Sequence, residues 1–294
     1  MIEEKTLGVR IIHGFIILLL VLLALSCLLP LIYTLAVSLS SKSAVAAGKV
    51  GLWPVDFTLF SYQEILKDER FFHAVGVSFQ RVALGTVVSL GSVILAAYPL
   101  SKNSSQFRQR NIVMWVMVFC MMFSGGLVPW YLNIKDLGLI NSIWALVLAG
   151  GFPIFNLILV VNFFRGLPKE LEEAALVDGA GPWRMLFQIF LPLALPVLAT
   201  VTLFTMVDHW NEFFNGLVLM TTTDKYPLQT YIQQLVVVVD TQAMTEDQIA
   251  KLDQMSNQTL NSAKIFISMV PILLVYPFLQ RYFISGITLG SVKE

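Results

Sequence analysis

Long apolar runs separated by short polar stretches organise this chain. Six of them, about 11–39, 73–100, 112–132, 143–164, 193–220 and 263–283, reach the roughly 20 residues a helix needs to cross a bilayer core. They are too long and too uniformly apolar for barrel strands, so the backbone is expected to close its hydrogen bonds within helices. The expected fold is all-α: one polytopic membrane domain over 1–294 with six transmembrane helices. The run at 15–29 also suits a signal peptide, and Ala24-Leu25-Ser26-Cys27 has the look of a lipoprotein cleavage box. Glu3 and Glu4 acidify a region that should be basic, and the run continues past Cys27 to Val37, so it is read as a retained first helix.

Orientation follows from the loop cations. With both termini cytoplasmic, the inside segments carry slightly more Lys and Arg than the outside ones, and Lys102, Arg108 and Arg110 crowd one short inside loop. Two outside segments are long. The one at about 40–72 contains Gly48, Gly51 and Trp53-Pro54; the one at about 221–262 is polar and acidic, with Asp240, Glu246, Asp247 and Asp253. Long ordered loops usually carry function.

Composition agrees with a membrane protein. The chain is 56% hydrophobic and 13% charged, against about 25% charged in a soluble domain. Zero formal net charge gives no reason to expect nucleic acid. Cys27 and Cys120 lie in apolar runs and read as buried, inert thiols. His13, His73 and His209 are scattered without metal-ligand spacing. No phosphate-binding loop and no Ser/His/Asp grouping occurs, so no enzymatic activity and no bound cofactor or metal is expected of this chain.

The polar segment at about 165–192 is the most informative. Pro168 suits a helix start, and Glu170, Glu172 and Glu173 complement the positive end of its dipole. Ala174 and Ala175 favour helix and leave room for a neighbour's backbone. Gly179 and Gly181-Pro182 break the helix, with Gly179 expected at a bend that a side chain would block, and Trp183 to Phe190 restart it. Taken singly, these residues would suit an ordinary amphipathic connector. Together they read Glu173-Ala174-Ala175, three residues, Gly179, nine residues, Ile189, one residue, Leu191-Pro192. That spacing resembles the cytoplasmic "EAA" loop of the permease subunits of bacterial ABC importers. The resemblance implies that Glu173, Ala174, Ala175, Asp178, Gly179, Ile189, Leu191 and Pro192 form the surface an ATPase subunit grips.

In the fifth run, Asp208, Asn211, Glu212 and Asn215 stand at i, i+3, i+4 and i+7, one face of a continuous helix. Acids inside a span usually face a bundle interior or a wet cavity. Asn211, Glu212 and Asn215, with Trp210 and Phe214 as aromatic walls, are candidates for a substrate pathway. A helix clamp with Arg81 as counter-ion, or a mere helix end near the outer mouth, would use the same residues. An unpaired Glu212 would repel an anionic sugar and favour a neutral one.

Similarity to the carbohydrate-uptake permeases extends over nearly the whole chain, through the six spans, Gly51-Leu52-Trp53-Pro54, Trp210-Asn211-Glu212-Phe213-Phe214-Asn215-Gly216 and Tyr226-Pro227-Leu228-Gln229-Thr230. It looks like the shorter subunit of maltose-type importers, in the oligosaccharide and polysaccharide branch that includes alginate importers. The resemblance implies a type I importer permease fold in the bacterial inner membrane. It also implies a second permease, two ATPase subunits holding ATP and Mg, and an extracytoplasmic solute-binding protein. Because the 221–262 segment is long and polar and directly follows the stripe, part of it is expected to contact that binding protein. A permease for peptide, phosphonate or amino acid remains open, as does a self-sufficient secondary transporter, which inverted repeats or paired broken helices would favour.

Overall fold

The computed structural model describes residues 7–236 and 258–291. Among the described residues all regular structure is helical. Asp240, Glu246, Asp247 and Asp253, and half of the outside segment expected to meet a binding protein, lie outside the described residues.

The described residues divide into two compact units, the first at 7–69, 234–236 and 258–270, the second at 70–233 and 271–291. In the first unit, α1 (Leu7–Ser38) is apolar all round, and its side chains from Ile11 to Pro30 are exposed. A helix without a polar face needs lipid or a partner around it. Cys27 corrects one expectation: it is exposed, as is Cys120 in the second unit. In a membrane helix an apolar neighbourhood means contact with lipid as readily as burial in protein.

The chain after α1 folds back on the helix end. Ser41 Oγ accepts from Ala44 N–H at 3.2 Å and caps α2 (Lys42–Ala46). Thr58 N–H donates to Leu39 O at 2.9 Å, and Ser38 Oγ meets the Tyr62 hydroxyl of α3 (Phe60–Leu66) at 2.8 Å. Asp68 pairs with the buried Lys264 at 2.5 Å.

The second unit begins within α4 (Glu69–Ser101) and continues through α5 (Arg110–Met122), α6 (Leu127–Asp136), α7 (Ile143–Leu148), α8 (Ile154–Arg165) and α9 (Lys169–Val177). Next come α10 (Pro182–Arg184), a π-helical turn at Met185–Phe190 and α11 (Leu191–Leu193). They lead into α12 (Leu195–Asn211), α13 (Phe214–Leu219) and α14 (Leu228–Val236), which runs into the first unit; α15 (Gln258–Ser291) supplies residues to both units. Its core joins Val93, Ala97 and Leu100 of α4 to Leu157, Val160, Val161 and Phe164 of α8, and to Ala175, Leu186, Phe190 and Val201.

Among the described residues three helices are long and apolar enough to cross a membrane unbroken, and two bent pairs raise the number to as many as five. The expected third span is α5 and α6, bent by 113° where Gly126 takes φ +89. The fourth parts into α7 and α8 at Gly150-Gly151, with Gly151 at φ +71. Glycine reaches this backbone region without the Cβ penalty, so both Gly pairs mark breaks. The fifth follows an 81° bend between α11 and α12 and breaks again at Glu212.

Candidate functional site

The polar loop is a helix with a built end. Pro168 stands at the N-cap of α9, and Glu170 and Glu172 fall in the first turn. At the other end Gly179 takes φ +73, its N–H donates to Leu176 O at 3.0 Å, and Ala180 N–H donates to Ala175 O at 2.9 Å. This paired closure satisfies two of the orphan carbonyls of the helix. A Cβ at Gly179 would meet no heavy atom within 4 Å. The expected steric block is therefore absent, and the left-handed backbone alone reserves the position for glycine.

The closed helix presents two different sides. Ala175 is buried in the core, and Ile189 and Leu191 pack against the same cluster. Glu173, Ala174, Asp178, Gly179 and Pro192 are exposed. Glu173 makes no side-chain hydrogen bond or ion pair among the described residues. Beside it Val177 is 88% exposed, and the exposed Trp183 and Phe187 stack with ring centroids 6.0 Å apart. Glu173 is thus a free carboxylate on the exposed side of a helix whose other side is rooted in the core.

The membrane stripe takes a different form from the one its spacing predicts. No single helical face carries it, because α12 ends at Asn211 and Glu212 adopts extended backbone (φ −73, ψ 121) before α13 begins. Glu212 is the joint between the two helices. Arg81, 1% exposed on α4, donates from Nη1 to Glu212 O at 2.7 Å and from Nη2 to Glu212 Oε2. The other carboxylate oxygen, Oε1, accepts from Asn215 N–H at 2.7 Å and caps α13. Backbone groups freed at a break inside a membrane need protein partners, since lipid offers none. The arginine and the carboxylate supply them.

Asp208, Glu212 and Asn215 nevertheless share a cavity of about 120 Å³, together with Arg81, Asn156 and His209. Asp208 and Asn156 also border an open cleft of about 840 Å³ walled by Phe155, Leu203 and Phe204. Trp210 lies elsewhere. It is buried against Phe79, edge to face at 5.3 Å, and lines a separate apolar cavity. Asn211 is exposed and outside the polar cavity, while the exposed Phe214 faces Trp130 at 6.3 Å.

The Tyr226–Thr230 motif braces the same break. Thr230 Oγ1 donates to Phe213 O at 2.8 Å, and Leu228 N–H donates to Ser78 Oγ at 2.7 Å. Gly216 lies so close to Thr230 Oγ1 and Pro227 that a Cβ would overlap both. Lys102 of the crowded inside loop and Glu172 of the acidic first turn form an ion pair of 2.9 Å that the sequence did not suggest. Seventy positions separate them and no local pattern links them.

The family described as binding-protein-dependent transport system inner membrane component matches residues 88–289. A Bacillus subtilis protein, the polygalacturonan/rhamnogalacturonan transport system permease YtcP, is 37% identical over 283 residues, 96% of this chain and 97% of its own length. The diacetylchitobiose uptake system permease NgcG of Streptomyces coelicolor is 29% identical over 94% of this chain and 87% of its own length. Among solved structures, a chain from a bacterial ABC transporter involved in import of the acidic polysaccharide alginate superposes with a TM-score of 0.84 at 34% identity, covering 96% of this chain and 99% of that one.

Proposed function

We propose that this chain, which belongs to the binding-protein-dependent transport system inner membrane components, forms half of the translocation pathway of an ATP-driven oligosaccharide importer. ATPase subunits dock on the 165–192 loop, and ATP with its Mg is bound and hydrolysed there, outside this chain. A second permease completes the pathway, and a solute-binding protein delivers sugar at the outer mouth. The chain sits in the bacterial inner membrane with both termini in the cytoplasm.

The observation that carries this reading is the exposed, unpaired Glu173 on a helix whose other side, at Ala175, is part of the core. Such a helix passes force between a docked subunit and the membrane helices. Sugar specificity leans toward an anionic oligosaccharide. The objection that Glu212 would repel it weakens because Arg81 already neutralises that carboxylate. YtcP is named for polygalacturonan and the structural relative for an acidic polysaccharide. Asp208, Asn156 and Asn215 are the polar groups of the pathway, with Phe155, Phe204 and Phe214 as walls; Asn211 belongs to its rim and Trp210 supports it from behind.

The test is ATP hydrolysis by the reconstituted complex with its binding protein and a panel of oligogalacturonates, alginate-derived oligosaccharides and maltooligosaccharides. Stimulation by an acidic member supports the full reading. Stimulation by neutral sugars alone removes the preference for anions. No stimulation by any sugar, with stimulation by peptides or amino acids, removes the sugar.

A further inference from the structure

Lys102 follows the last residue of α4, in a setting built from three elements. Its Nζ lies 2.9 Å from Glu172 Oε1 of α9, 4.3 Å from the Tyr98 ring centre of α4 and 4.5 Å from the Phe190 ring centre in the π-helical turn. The two rings meet edge to face at 5.3 Å, and Phe190 meets Phe164 of α8 in the same way at 5.2 Å. Lys102 Nζ makes no hydrogen bond among the described residues, so charge attraction to the Glu172 carboxylate and to the two aromatic faces holds the cation. Gln106 Nε2 also donates to Glu172 Oε1 at 3.4 Å. Arg165 and Arg110 fasten the same corner, donating to Leu100 O at 3.0 Å and to Lys102 O at 2.9 Å.

Neighbouring acids on α9 thus have separate fates. Glu173 points outward and Glu172 inward, as successive residues on a helix must, about 100° apart. From Tyr98 the same α4 runs back to Arg81, roughly 25 Å along the axis at 1.5 Å per residue. Arg81 holds the joint at Glu212. One helix therefore connects the inner side of the docking loop to the break beside the polar cavity.

We propose that the Lys102–Glu172 pair, clasped by Tyr98 and Phe190, is the link that transmits movement of the docking loop to α4 and so to the Arg81–Glu212 joint. Lys102 and Glu172 are positioning residues: they contact neither the sugar nor ATP, and they hold both arms of the loop to one membrane helix. The proposal rests on the docking reading above.

The test uses the full complex in proteoliposomes, with pooled oligogalacturonates, alginate-derived oligosaccharides and maltooligosaccharides as the probe. Three quantities are measured: ATPase subunits retained on purification, ATP hydrolysed, and sugar taken up. In Lys102→Met the ATPase subunits stay bound and ATP hydrolysis persists, while sugar taken up per ATP falls about fivefold or more, the lower range for coupled sites. Glu172→Gln gives the same fall, and the double variant falls no further, because the two act as one unit. Lys102→Arg keeps the cation and most of the coupling. An unchanged ratio of uptake to hydrolysis in assembled Lys102→Met overturns the proposal and makes the pair a mere fastening. Loss of the ATPase subunits overturns it too, since the pair would then serve docking. Failure of the docking reading shows separately, as full assembly and coupled uptake in Glu173→Lys.

Discussion

Two helix ends in the second unit are closed by opposite means, α9 at Gly179 and α12 at Glu212. At α9 the backbone closes on itself: Gly179 turns left-handed, and two amides return to the carbonyls of Leu176 and Ala175. Of the acids nearby, Glu172 is drawn to Lys102 while Glu173 is left exposed. At α12 the backbone cannot close alone, and charged side chains complete it. Arg81 takes the Glu212 carbonyl, and the Glu212 carboxylate divides between Arg81 and the first turn of α13. The solvent explains the contrast. A loop in water, as the proposed cytoplasmic placement has it, has hydration for any remaining carbonyl, which leaves Glu173 free for a partner. A break in the membrane must be satisfied within the protein, so its acid is consumed there.

The widest gap between the two ends should appear on removing Arg81. Arg81→Met leaves a largely desolvated carboxylate without its cation, at a cost of about 3–5 kcal/mol. Thermal unfolding of the purified complex reads this, and a melting temperature equal to native would refute the clamp. Glu212→Gln separates clamp from pathway: loss of stability with full uptake once assembled leaves the residue no part in the pathway.

Glu173→Lys is the matching change at the other end. The permease should insert and melt normally, while affinity for the ATPase subunits falls roughly 30-fold, or about 2 kcal/mol, as for a buried interface charge reversed. Co-purification against added ATPase subunit measures it. A drop in the melting temperature of the permease alone would mean that Glu173 is needed by the fold, and the contrast would close.

Gly216→Ala probes the brace behind the membrane break. Overlap with Thr230 and Pro227 should cost about 1–3 kcal/mol and loosen the 226–233 segment. Faster proteolysis or hydrogen exchange in that segment is the readout. The smallest effect belongs to Gly179→Ala, about 1 kcal/mol of backbone strain with no clash. Gly179→Asn should lose less, since asparagine tolerates this φ. A larger loss in Gly179→Asn would show that bulk matters there after all.

Hydrophobic pattern alone determined that this is an all-helical membrane protein, because a backbone in lipid has few ways to satisfy itself. Local residue chemistry likewise placed a short helix between Pro168 and Gly179, its acidic first turn and its glycine stop, all set by interactions a few residues long. The spacing of Glu173, Gly179, Ile189 and Pro192 singled out the loop only through its resemblance to the importer motif. It did not separate the face of Glu173 from the buried Ala175, since burial depends on what packs from α4 and α8. Only the tertiary structure broke the fifth span at Glu212, where helical periodicity alone continues it. The partner that permits the break, Arg81, lies 131 positions away, and the one that anchors Glu172, Lys102, lies 70 away. Charges inside a membrane protein are placed by whichever opposite charge the fold brings alongside, and that choice has no local signature in the chain.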